Sequence, residues 1–209
     1  MIQTFHLPKD IETRSMLIIS EELGAVELSD SELIILKRVI HTSADFEYRE
    51  NLVFQNDAVA AGLNAIRAGA TIVTDTTMAL SGINKPTATK LGLTLQCSIG
   101  DPEVAHLAKE QGTTRSVASA NLLPAIQAPL IAVVGNAPTA LIRIAELIHA
   151  GVLSPALVIG VPVGFVNVVE SKELILSTDI PCIVARGRKG GSNVAAAIVN
   201  ALMYQIDRV

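Results

Sequence analysis

The feature that most constrains this chain is a change of texture at Gly69. Beyond it, short β-branched or apolar runs recur at 71–74 (TIVT), 93–97 (LTLQC), 130–134 (LIAVV), 156–159 (ALVI) and 182–185 (CIVA). Helical patterns fill the intervals, at 102–111, 115–125, 139–150, 166–176 and 193–206. A run without a polar face needs cover on both sides of the strand it forms. Strands alternating with helices of this length predict a parallel sheet between two helical layers. The expected fold is α/β: a three-layer α/β/α, flavodoxin-like sandwich with a five-stranded parallel sheet. No linker, low-complexity tract or internal repeat divides residues 1–209, so one domain is expected.

Before Gly69 the chain reads as helical, at 8–23 (stopped by Gly24), within 29–48, and at 56–70. The stretch SDSELIILKRVIHTSADFEY at 29–48 opens with Ser29 and Glu32 in capping-box spacing. Leu33, Leu36, Ile40, Ile35 and Val39 then form a broad apolar face. Arg38 and His41 stand three apart, on one face, and His41 falls in the last turn before Thr42, Ser43 and Asp45 break the pattern. Two readings of His41 stand on these residues alone: a capping or surface histidine, or part of a site.

In parallel α/β sheets ligands bind beyond the carboxyl ends of the strands. Those ends lead into Asp75-Thr76-Thr77, Gly135-Asn136-Ala137-Pro138-Thr139, Gly160-Val161-Pro162-Val163-Gly164 and Arg186–Ser192 (RGRKGGS). Glycines there let backbone N–H groups approach a ligand, and the helices that follow offer anion-binding N-termini. Gly160 and Gly164 lack the dinucleotide spacing, and GRKGGS lacks the Lys-Ser/Thr pair of a P-loop. There is no G-x-S-x-G elbow. The four histidines (6, 41, 106, 149) are scattered, none at metal-ligand spacing with another, so no metal site is expected. Nicotinamide enzymes, kinases, serine hydrolases and metallohydrolases are all disfavoured.

Bulk properties narrow the field further. A net charge of −4 with no Lys/Arg block argues against nucleic acid as the partner. Cys97 and Cys182 stand far apart without a CxxC, which suits a reducing compartment. The N-terminus lacks the apolar core of a signal peptide. The uncharged run 116–142 contains three prolines and reads as helix, strand and helix start, not as a membrane span. No membrane partner is expected, and the location expected is cytoplasmic. A mean hydropathy of +0.46, with 17% charged residues, suggests apolar surface hidden in a subunit interface. What remains is an α/β domain with basic residues at Arg14, Arg38, Arg115, Arg143 and 186–189, solvated charges by default. Arginines beside Gly-rich strand ends also suit a ligand carrying several carboxylates.

Five blocks then become recognisable in order: IETRSM at 11–16, KRVIHTSADFEY at 37–48, GNAPTAL at 135–141, GVPVGFVNVVESKE at 160–173 and GRKGGSNVAAAIVNAL at 187–202. On these the chain resembles the precorrin-8X methylmutase family of cobalamin biosynthesis, which includes the cobalt-precorrin-8 methylmutases. The resemblance implies a flavodoxin-like homodimer with its site at or near the subunit interface. It implies an isomerase that moves a methyl group from C11 to C12 of a polycarboxylate corrin precursor, with no redox cofactor and no methyl donor. Carried over to this sequence, His41 matches the catalytic histidine. Ser15, Arg38 and Arg115 match substrate-contacting positions, while Asn84 and Asn136 lie in matching loops. Asn167 and Asn193 depart from the smaller residues, Gly and Ala, expected there; asparagine tolerates a left-handed backbone. Two other readings of the same fold are a tetrapyrrole-binding carrier without chemistry and a nucleotide-binding flavodoxin-like domain.

Overall fold

The computed structural model describes residues 7–207. In chain order these form α1 (Pro8–Leu23), α2 (Asp30–Ser43), α3 (Tyr48–Asn51), β1 (Leu52–Gln55), α4 (Ala58–Arg67) and β2 (Thr71–Thr74). The chain continues through α5 (Thr77–Gly82), α6 (Lys85–Lys90), β3 (Thr94–Gln96), α7 (Pro102–Glu110) and α8 (Arg115–Ala120). After a 3-10 turn at Leu123–Ala125 come β4 (Leu130–Val134), α9 (Pro138–His149), β5 (Leu157–Gly160), α10 (Val168–Leu176), β6 (Cys182–Ala185) and α11 (Ser192–Asp207).

The sheet has six strands in the order β1-β6-β5-β4-β2-β3. From β2 to β6 every neighbouring pair is parallel, and taking those five in chain order gives the 2-1-3-4-5 arrangement of flavodoxin-like folds. The expected strand count of five is corrected to six, because β1 pairs antiparallel with β6, Leu52 opposite Ala185 and Gln55 opposite Cys182. As an edge strand, LVFQ carries a partly exposed pattern between two helices, and only its pairing marks it as a strand. Residues 115–125 form a short helix and a 3-10 turn in place of one helix, since Pro124 cannot donate into a helical ladder.

Alternation along the strands feeds two cores. Ile72, Ile131, Val133, Leu157, Ile159 and Ile183 point to the layer of α2, α4 and α11, with α1 outside it. Val73, Ala132, Val134, Val158, Cys182 and Val184 point to the layer of α8, α9 and α10. The helix α2 is set by its capping box: the Ser29 N–H donates to Glu32 Oε2 (2.8 Å) and the Glu32 N–H donates to Ser29 Oγ (3.4 Å). Ile35, Leu36, Val39 and Ile40 bury it against α11. Arg49 ties the α1–α2 turn by donating to the carbonyls of Leu23 (2.9 Å) and Ala25 (3.0 Å). Asn167 does adopt a left-handed backbone (φ 59°) at the start of α10.

The β4–α9 loop lies directly on the start of α11. A Cβ added at Gly135 would sit 2.8 Å from Ser192 Cα and 3.1 Å from Ala195 Cβ. Gly135→Ala is therefore expected to lower stability by about 1–3 kcal/mol through overpacking. Urea titration checks this, and an unchanged midpoint would show that the two segments part without cost.

Candidate functional site

The loops that leave β2, β4, β5 and β6 are cross-linked along the carboxyl edge of the sheet. Thr76 Oγ1 and Ser192 Oγ share a hydrogen bond of 2.8 Å. The Gly191 N–H donates to the Val161 carbonyl (2.8 Å), and the Gly164 N–H donates to that of Arg188 (3.1 Å). The strand order reverses between β2 and β4, the place where such folds usually hold a ligand. Here Asp75 fills it. Its Oδ1 accepts from the Gly135 N–H (2.9 Å), and its Oδ2 accepts from those of Asn136 (2.8 Å) and Ala137 (2.7 Å). Burial pushes the Asp75 carboxyl up while these donors pull it down, and burial prevails. The three backbone donors at the start of α9 are occupied from within the chain. This is poor geometry for a nucleotide phosphate.

His41 stands exposed in the last turn of α2. One turn earlier Arg38 is half-buried, its Nη2 donating to Glu12 Oε1 of α1 (2.8 Å) and its guanidinium lying 5.7 Å from the centre of the Tyr204 ring of α11. The arginine is thus held in place before any ligand arrives. Any carboxylate ligand at Arg38 would have to share the guanidinium fork with Glu12 or displace it. Tyr204 Oη in turn accepts from Asn84 Nδ2 (2.9 Å), so Arg38, Tyr204 and Asn84 form one contiguous chain.

Asn84 caps α6: its Oδ1 accepts from the Thr87 N–H (3.1 Å), and its own N–H donates to Asn200 Oδ1 (2.8 Å). Ser15 Oγ donates to the Ile11 carbonyl of its own helix (2.8 Å). Arg115 is exposed at the first position of α8, and the Asn136 side chain is exposed at the β4–α9 loop. Their two segments approach at Thr114 Oγ1 and Thr139 Oγ1 (3.4 Å). The structure thus brings Arg38 and Asn84 into one group, with Ser15 and His41 one turn beyond Glu12 and Arg38 on their helices. Arg115 and Asn136 lie apart from these, on two segments of the α8–α9 side joined through Thr114 and Thr139.

Four residues outside the expected site positions, Lys189, Asp45, Glu47 and Lys172, link the β6–α11 loop to the chain just past α2 and to α10. Lys189, from the β6–α11 loop, places its Nζ 2.5 Å from Asp45 Oδ2 and 2.9 Å from Glu47 Oε2, just past the end of α2. The pair with Lys189 holds the Asp45 carboxyl below its ordinary value, against a smaller opposing effect of burial. Lys172 of α10 is fully buried, and its Nζ donates to the carbonyls of Gly187 and Lys189 (2.8 Å each). Burial pushes that amine down to about 8. Sequence reading had the basic cluster at 186–189 but no partner for it; SADFE after an amphipathic helix was the available signal.

Among the described residues no three His, Cys, Asp or Glu side chains gather as a metal site. No helix among the described residues is long and apolar enough to cross a membrane.

The Asp45–Lys189 pair carries a pH signature. A carboxyl held below its unfolded value of 3.8 adds stability that is present above that pH and is lost as the pH falls toward the folded value, where the unfolded chain binds more protons. The stability advantage of the native chain over Asp45→Asn is expected to be constant above about pH 5 and to shrink as the pH drops below 3.8 toward the folded value. Chemical unfolding across pH 3–7 reads this; a pH-independent difference would contradict the pairing.

Comparison with known proteins meets this geometry from the other side. A sequence model of the precorrin-8X methylmutase family matches residues 10–205. The cobalt-precorrin-8 methylmutase of Salmonella typhimurium is 46% identical over 205 residues, 95% of this chain and 96% of that one. The precorrin-8X methylmutase of a Sinorhizobium species is 36% identical, covering 92% of each chain. In structure, the precorrin-8X methyl mutase of Thermus thermophilus superposes with a TM-score of 0.88 at 39% identity, over 96% of this chain and 97% of that one. With a family model matching residues 10–205 and relatives in sequence and structure matching nearly end to end, the chain belongs to the precorrin-8X methylmutase family.

Proposed function

We propose that this chain is a methylmutase of corrin ring construction, an isomerase that moves a methyl group from C11 to C12 of precorrin-8 or its cobalt counterpart. The observation that carries the reading is the family match over residues 10–205, which includes the α2 segment presenting Arg38 and His41 on one face. The methyl group is already on the substrate, so the C11–CH3 bond breaks as the C12–CH3 bond forms and nothing is transferred from outside. The protein's task is to polarise the conjugated ring while that shift occurs.

His41 is the proposed acid. An exposed imidazole at a helix end is placed to reach a ligand seated over the strand ends and to donate a proton to it. Arg38 and Arg115 are the proposed anchors for peripheral carboxylates, each through a charge-assisted pair. Asn136 is a proposed contact of the same substrate from the β4–α9 loop. Ser15 and Asn84 are proposed contacts on the α1 and α11 side; both have their side chains engaged within the chain in the present geometry. Binding through them requires exchange of those hydrogen bonds.

The chain is proposed to act as a single-domain homodimer in the cytoplasm. Support for the dimer comes from large apolar side chains left in water at the same edge: Phe165 is 82% exposed, Val166 77% and Met78 71%. Large apolar side chains left exposed are favoured between two copies over water. A dimer across this edge would let groups from two chains meet one macrocycle.

His41→Ala is expected to cut turnover by at least about a hundredfold while leaving macrocycle binding within a few-fold. The absorbance change from substrate to product measures the first, and titration of product measures the second. Near-normal turnover by His41→Ala would remove the acid role; a native chain that binds product but gives no absorbance change with substrate would be a carrier. Arg38→Ala and Arg115→Ala are expected to weaken binding about tenfold each and to lower its salt dependence. Unchanged affinity at low salt would contradict their role.

A further inference from the structure

Among the described residues Lys172 is the largest side chain with no exposed surface, and the methyl shift described above makes no use of it. Lysine is rarely buried without a carboxylate partner, because its charge loses hydration. Lys172 instead meets two main-chain carbonyls of one loop, Gly187 and Lys189. It therefore fixes the path of residues 187–189. Close packing fixes the next residue as well, since a Cβ at Gly190 would fall 2.1 Å from the Val161 carbonyl oxygen.

That loop presents Lys189 to Asp45 and Glu47. Asp45 is committed on every side. Its Oδ1 accepts from the Glu47 N–H (3.0 Å), its Oδ2 meets Lys189, and its N–H donates to Ser43 Oγ (3.3 Å). Ser43 Oγ passes the tie back into α2 by donating to the Val39 carbonyl (2.8 Å). Between them Ala44 closes the helix in a left-handed conformation (φ 53°), its N–H donating to the Ile40 carbonyl (2.7 Å). An alanine disfavours that backbone, so the end of α2 depends on its surroundings to hold this shape. His41 lies three residues before that cap.

We infer that Lys189 is a positioning residue for His41, kept in reach by Lys172: the two lysines form a strut from α10, through the β6–α11 loop, to the end of α2. The inference rests on His41 as the acid of the methyl shift. A partly exposed ion pair contributes little to stability. Its consequence here is geometric, because displacement of a reacting group by about 1 Å costs on the order of a hundredfold in rate.

The test is steady-state kinetics of the full chain with its corrin-precursor substrate. Lys189→Met is expected to lower kcat about tenfold with KM within about twofold, and Lys189→Arg to restore most of the loss. Lys172→Met is expected to lower kcat similarly on its own and to add little in the Lys189→Met background, because both act through one strut. Should Lys172→Met fail to fold by circular dichroism, Lys172→Gln, shorter but still a donor, takes its place in the cycle. His41→Ala runs alongside: if it keeps turnover, the acid assignment fails and the strut with it. If His41→Ala is inactive while Lys189→Met keeps kcat within twofold, the strut alone is overturned. Fully additive losses would detach Lys172 from it.

Discussion

Parallel strands with two apolar faces must be covered on both, and this requirement decides where function can sit in this chain. The helices that supply the cover occupy both faces of the sheet, so polar chemistry is left to the edge where strands end and loops begin. Four of those loops are laced together by short hydrogen bonds across the edge, including Thr76 to Ser192 and Gly191 to Val161. The edge is thus a framed surface on which side chains from separate elements keep fixed relations. Helix α2 ends beside it and is joined to it through Lys189.

The switch point between β2 and β4 shows how one fold can serve a different ligand. Flavodoxin-like proteins use backbone donors there for phosphate. In this chain the carboxylate of Asp75 takes three such donors, and the loop that carries Asn136 becomes a rigid part of the frame. On the proposed reading anion binding falls to arginine side chains, which suit carboxylates spread around the rim of a large macrocycle. Arg38 is already oriented by Glu12 and Tyr204, so little of its freedom remains to be lost on binding.

Much of this was legible in the residues, for reasons that differ by element. The five parallel strands announced themselves because each is an uncharged run bounded by turn residues. The start of α2 was legible because a capping box is local: Ser29 and Glu32 are its whole mechanism. The antiparallel strand β1 was not legible, since LVFQ lies among helices and only β6 makes it a strand. Asp75 was legible only as the start of a strand-end loop; its capture of three backbone donors gave no signal, because those partners lie 60–62 residues away. Lys172 reads in VVESKELIL as one more charge on a solvated helix face, and only the returning loop carbonyls bury it. His41 and Arg38 were legible as a spacing, but the family resemblance, and not the spacing, raised them above an ordinary helix end.

The central claim is that the last turn of α2 meets the reacting part of the macrocycle while arginines hold its rim. The most direct measurement is a crystal structure of this protein with its corrin product bound. The account predicts the His41 imidazole within hydrogen-bond distance of the ring bearing the migrated methyl group, with Arg38 and Arg115 paired to peripheral carboxylates. A product seated elsewhere, with His41 in solvent and another proton donor beside C11 and C12, would contradict it.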